Sequence, residues 1–107
     1  MATIQSRKNK YRNIRYQGFD SKREHRRYQE LALLERVGEI SDLKTQVTFR
    51  FEGLTYANGR TVTYRADFTY TKDGRLIVED CKGFRTSLYK LKKALMKYFH
   101  GIELLES

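Results

Sequence analysis

The chain has few of the groups that build the commonest metal and disulfide sites. One cysteine, Cys81, stands among 107 residues, which excludes an internal disulfide and any thiolate zinc cluster. Two isolated histidines, His25 and His100, make no metal site by spacing. A metal in this protein is therefore expected on oxygen ligands. No apolar run approaches the roughly 20 residues that span a bilayer, and no secretory leader opens the sequence, so a cytoplasmic protein without a membrane partner is expected. Repeats and low-complexity linkers are absent too. Acidic groups are in deficit, 13 against 22 lysines and arginines, for a formal charge of +9. That balance points towards a polyanion, with nucleic acid the first candidate. At 39% apolar the chain is long enough for one modest core and too short for two domains.

What is present centres on residues 64–84, YRADFTYTKDGRLIVEDCKGF. Two β-rich runs, 62–70 and 75–81, flank Asp73-Gly74, a strong signal for a two-residue hairpin turn. Pairing Lys72 with Arg75 sets Asp67 directly opposite Asp80, and alternation along the strand brings Lys82 to the face of Asp80. Facing carboxylates repel by a few tenths to ~1 kcal/mol and call for a compensating charge. A divalent cation supplies one. Glu79 points away from this pair, so Asp80 is the expected ligand and Glu79 is expected to meet a basic side chain on the other face.

The rest of the chain is read around that hairpin. Residues 1–16 carry Arg7, Lys8, Lys10, Arg12 and Arg15 with no acid, and read as a flexible basic arm for phosphate contacts, with Tyr11 and Tyr16 available to stack on bases. A single domain is expected over 17–107. Ser21 with Glu24 is a capping-box pattern opening a helix to about Val37. Helical spacing sets Glu24 with Tyr28 and Leu31, leaning its carboxylate towards the sheet; Glu30 and Glu35 are lesser candidates. Lys22 is placed on a phosphate-facing flank. Residues 46–52 alternate as a half-buried strand, with Gly53 a candidate bulge and Asn58-Gly59 a second turn. Val62, Tyr64, Ala66, Phe68 and Tyr70 are expected to share one face of the following strand. Thr86 or Ser87 caps a second helix to His100, stopped by Gly101, with an apolar stripe of Leu88, Leu91, Ala94, Leu95, Tyr98 and Phe99. Lys90, near the start of that helix, is a further phosphate contact. A last strand over 102–105 returns parallel. The expected architecture is a mixed α/β (α+β) fold, α-β-β-β-α-β, with the sheet flanked by two helices.

Asp67, twelve intervening residues, then Asp80-Cys81-Lys82 resembles the PD-(D/E)XK nuclease superfamily. Over roughly residues 10–106, FDSKREHRRY, YRADF and VEDCKGF are similar to small phage-encoded endonucleases of that superfamily related to Holliday-junction resolvases. Ala66 stands where the superfamily name has proline, at a position that supplies no ligand. The resemblance implies a restriction-endonuclease-like core and a metal-dependent DNA endonuclease acting on branched DNA as a homodimer. It implies Glu24, Asp67 and Asp80 as ligands of Mg²⁺ or Mn²⁺, the Cys81 backbone carbonyl as a further ligand, and Lys82 as a catalytic group. Two other readings stay open at this point. One is a basic nucleic-acid-binding protein whose acidic pair is a surface cluster balanced by Arg50 and Arg65. The other is an inactive nuclease fold that binds a partner.

Overall fold

The computed structural model describes residues 21–82 and 85–107. Ser21 Oγ accepts from the Glu24 amide at 3.0 Å and starts α1 (Lys22–Arg36), as the capping pattern requires. There follow β1 (Ser41–Thr55), β2 (Thr61–Lys72), β3 (Arg75–Asp80), α2 (Ser87–His100) and β4 (Leu105–Glu106). The sheet order is β1-β2-β3-β4, the first three antiparallel and β4 parallel to β3. This is the expected α-β-β-β-α-β arrangement. Thr86 Oγ1 caps α2 by accepting from the Tyr89 amide, and Gly101, at φ 69°, ends it.

The hairpin forms as its turn dictates. Asp73 and Gly74 have φ of 52° and 76°, the pair of left-handed residues that a primed turn needs to follow the twist of its strands. Lys72 pairs with Arg75, and the ladder runs without a shift to Phe68 opposite Glu79. One step further, Asp67 meets Asp80.

Three expectations are corrected. β1 runs from Ser41 to Thr55 rather than over 46–52, because left-handed residues at Asp42, Gln46 and Gly53 interrupt its alternation and hide its length. Gly53 lies within the register shift between Arg50 and Thr55, where a bulge was expected. β4 covers only Leu105–Glu106, while Ile102 and Leu104 pack into the core against α2. α2 is rotated from the expected stripe: Tyr89 and Met96 are buried with Leu95 and Phe99 beside them, whereas Leu88 and Leu91 are exposed and Tyr98 is 82% exposed. The rotation follows from Tyr89, whose phenol donates to Glu106 Oε2 at 2.9 Å and so draws its ring inward.

The fourth correction positions the site. β3 alternates, with Ile77 and Cys81 joining the core under α1 and Val78 the core under α2, so the helices cover opposite faces. β2 does not keep one alternation. Val62, Tyr64 and Ala66 pack with α2, while Phe68 and Tyr70, of the same parity, pack with α1. β1 makes the same exchange, Leu43 lying with the α1 core and Phe49 and Phe51 with the α2 core. The register on either side is unchanged, Thr45 opposite Phe68 and Val47 opposite Ala66. Between them stand Asp67 and Gln46, and Gln46 has a φ of 55°. One left-handed residue rotates the strand enough to change which face the following side chains meet, at a cost of about 1–2 kcal/mol for a residue with a Cβ.

Candidate metal centre

Asp67 sits where the strands exchange faces, at the end of the hairpin ladder. Its Oδ2 accepts from the Cys81 amide at 2.8 Å, and its carboxyl adjoins that of Asp80. Burial above all, then the close approach of the Asp80 carboxyl, pushes the Asp67 carboxyl up to about 8; the charges of Asp80 and Glu24 add to this and the Cys81 amide opposes it. Asp80 is 1% exposed, and neither of its carboxylate oxygens has a well-formed hydrogen bond among the described residues. Lys82 Nζ stands 3.4 Å from Asp80 Oδ2 and 4.9 Å from the centroid of the Tyr89 ring. The expected trio of Asp67, Asp80 and Lys82 is thus brought together.

Glu24 comes from α1 to the same region. It is 4% exposed, and its Oε2 accepts from Gln46 Nε2 at 2.7 Å. Its charge reaches Asp67, yet among the described residues no three His, Cys, Asp or Glu groups already form a cluster arranged to hold an ion. The two hairpin aspartates are the facing pair, and Glu24 is the third carboxylate within electrostatic reach.

Two further residues belong to the site that the sequence reading passed over. The Tyr64 hydroxyl is buried without a well-formed hydrogen bond among the described residues. It stands close enough to Asp80 that burial and the carboxylate's charge hold the phenol well above its ordinary pKa. Gln46, within the half-buried run 46–52, donates a hydrogen bond to Glu24. Tyr64 was indistinguishable from a core aromatic, and nothing in a period-2 pattern marks a left-handed glutamine.

Glu79 behaves as parity requires. It is fully buried on the α1 side, where Arg27 donates from Nε to Oε2 at 2.6 Å and from Nη2 to Oε1 at 3.1 Å. The Tyr70 hydroxyl adds a bond to Oε1 at 2.6 Å. These donors outweigh burial and leave Glu79 below the usual carboxylate range. A third acid, Glu106 on β4, is satisfied by Arg85, Lys93 and Tyr89, which hold its carboxyl down to about 2. Among the described acids of the sheet, Asp80 is buried with the Lys82 ammonium at 3.4 Å and no well-formed hydrogen bond to either oxygen.

The candidate phosphate contacts are scattered. Lys22 and Lys90 are exposed on α1 and α2. Arg7, Lys8, Lys10, Arg12 and Arg15, with Tyr11 and Tyr16, lie outside the described residues. Arg23, Arg26 and Arg27 with Glu30, Cys81 and Ser107 line an open basic cleft of about 240 Å³ on the α1 side. Arg50 does not balance the aspartates; its Nε donates to Glu52 at 2.6 Å and its Nη2 to Thr61. No helix among the described residues is long and apolar enough to cross a membrane.

Comparison with known protein families matches residues 4–105 to one described as "protein of unknown function (DUF1064)". The match spans nearly the whole chain, and the chain belongs to that family. No curated protein and no solved structure matches it.

Proposed function

We propose that this member of the family is a metal-dependent DNA endonuclease that hydrolyses phosphodiester bonds, with Asp67 and Asp80 as the principal ion ligands and Glu24 as the third carboxylate. One observation carries the reading. Asp80 keeps two buried oxygens without well-formed hydrogen bonds directly beside a second carboxylate. Burying a carboxylate with one lysine at 3.4 Å and no well-formed hydrogen bond is costly, whereas Glu79 and Glu106 in the same sheet each hold several donors. An all-oxygen donor set suits a hard cation, Mg²⁺ or Mn²⁺. When bound, such an ion polarises a phosphate oxygen and lowers the pKa of a coordinated water.

The chain's own groups have separate tasks. Asp67 and Asp80 present oxygens from adjacent strands, and the Cys81 amide fixes the orientation of Asp67. The Cys81 carbonyl, on the same short segment, remains the proposed fourth protein ligand. Lys82, 31% exposed and steadied over the Tyr89 ring, directs its ammonium at the space beside Asp80, where it orients an attacking water or stabilises charge on the phosphate. Lys22, Lys90, Arg23, Arg26 and the arm residues hold the backbone through its phosphates, which suits selection of DNA shape over sequence. We therefore assign branched DNA, such as a four-way junction, as the substrate. Paired cuts on such a substrate call for a homodimer, and the site of action is the cytoplasm.

A basic binding protein with a surface acidic cluster accounts less well for an Asp80 that is 1% exposed and an Arg50 committed to Glu52. The test is incubation with branched, single-stranded and linear duplex DNA in Mg²⁺, Mn²⁺ or EDTA. Asp80→Asn is expected to retain DNA binding and lose cleavage by ~10²–10³-fold, the scale on which removing one charge-stabilising group acts. Binding without metal-dependent cutting of any of these DNAs would refute the proposal.

A further inference from the structure

Gln46 is the unusual residue of β1. Its φ of 55° lies in the interior of a strand, opposite Asp67, where β1 and β2 exchange faces. A glycine adopts that conformation without steric cost, and the same strand uses one, Gly53 at φ 91°, for its other irregularity. Asp42, the remaining left-handed residue of β1, has the short polar side chain that tolerates the region. A glutamine has neither advantage. What it adds is an amide on a long side chain, and Nε2 of that amide reaches Glu24 Oε2 at 2.7 Å.

From this we infer that Gln46 is a positioning residue: its strained backbone aims the amide at Glu24 and holds the helix carboxylate towards the hairpin aspartates. The inference rests on the cation-binding reading above. It assigns a cause to the face exchange of β1, since the left-handed residue that turns this strand also fastens α1 to the point where it turns. Groups that hydrogen-bond a metal ligand typically alter affinity 10–100-fold when removed, even though they touch no ion.

The test compares Mn²⁺ affinity, by calorimetry or by the electron paramagnetic resonance of free Mn²⁺, in folded wild type, Gln46→Gly and Gln46→Met. Glycine relieves the backbone and removes the amide; methionine keeps length and strain and removes the donor. Both variants are expected to bind Mn²⁺ at least ~10-fold more weakly, with Gln46→Gly melting no lower than Gln46→Met in metal-free buffer. On a Glu24→Gln background, Gln46→Met is expected to weaken binding no further. Wild-type affinity in either single variant, or an additive loss in the double variant, overturns the positioning role and leaves the cation site standing. A wild-type protein that takes up no Mn²⁺ overturns the cation site and this inference with it.

Discussion

At the scale of single residues, the site contains a carboxyl held in its protonated form by burial and by the neighbouring Asp80. Asp67 holds its proton up to about pH 8, whereas an aspartate with the ordinary value of 3.8 releases it far earlier. The folded chain thus binds a proton that the unfolded chain has lost throughout the interval between those values. Stability from this group is full below pH 3.8 and declines as pH rises towards 8. Metal-free protein is therefore expected to lose melting temperature between pH 5 and pH 8 by more than an Asp67→Asn variant does, with Mn²⁺ restoring it at pH 8. Equal slopes for the two proteins in a thermal-melt series would remove Asp67 from the account. The carboxylates themselves were legible from the sequence, because a two-residue turn fixes register and register fixes which acids face each other. The neighbours of these carboxylates were not: Tyr64 reads as one more strand aromatic, and the Gln46 amide gives no sign of its direction.

At the scale of elements, the two acids of Glu79-Asp80 show how alternation divides labour. Asp80 turns towards α2 and the open carboxylate pair; Glu79 turns towards α1 and is closed by Arg27 and Tyr70. That ion pair ties the middle of α1 to β3 and is structural. Arg27→Met leaves a fully buried carboxylate without its cation, and breaking such a pair typically costs about 3–5 kcal/mol. Urea denaturation is expected to show a loss of that order, while Mn²⁺ affinity of the folded fraction stays within about twofold, because β3 and its turn still set the aspartates. An affinity that collapses with stability would mean that the Arg27 pair belongs to the site. Helix starts and stops were legible here because Ser21, Thr86 and Gly101 act locally. The strand faces were misread beyond Ala66, since a period-2 rule carries no information about a residue that leaves the β region. The exposure of Leu88 and Leu91 was missed for a related reason, as the docking angle of α2 is set by the Tyr89 bond to Glu106 on a different element.

At the scale of the whole molecule, a charge of +9 attracts a polyanion but does not say where chemistry occurs. The architecture offers one candidate location. A hairpin brings two carboxylates together, helices on opposite faces deliver Glu24 from one side and Tyr89 beneath Lys82 from the other, and Lys82 stands beside Asp80. The order of elements was readable because each has its own local signals, and the pairing of one hairpin then fixed the centre of the sheet. Thirteen acidic residues are distributed over the chain, and Asp67 with Asp80 is the proposed location for a cation among them. Anomalous scattering from a crystal grown with Mn²⁺ tests this most directly. The predicted result is one strong peak with oxygens of Asp67 and Asp80 about 2.1 Å away, the distance expected for a small hard cation. A crystal containing Mn²⁺ that shows no peak between these two residues, or shows its strongest peak at other acids, would contradict the account.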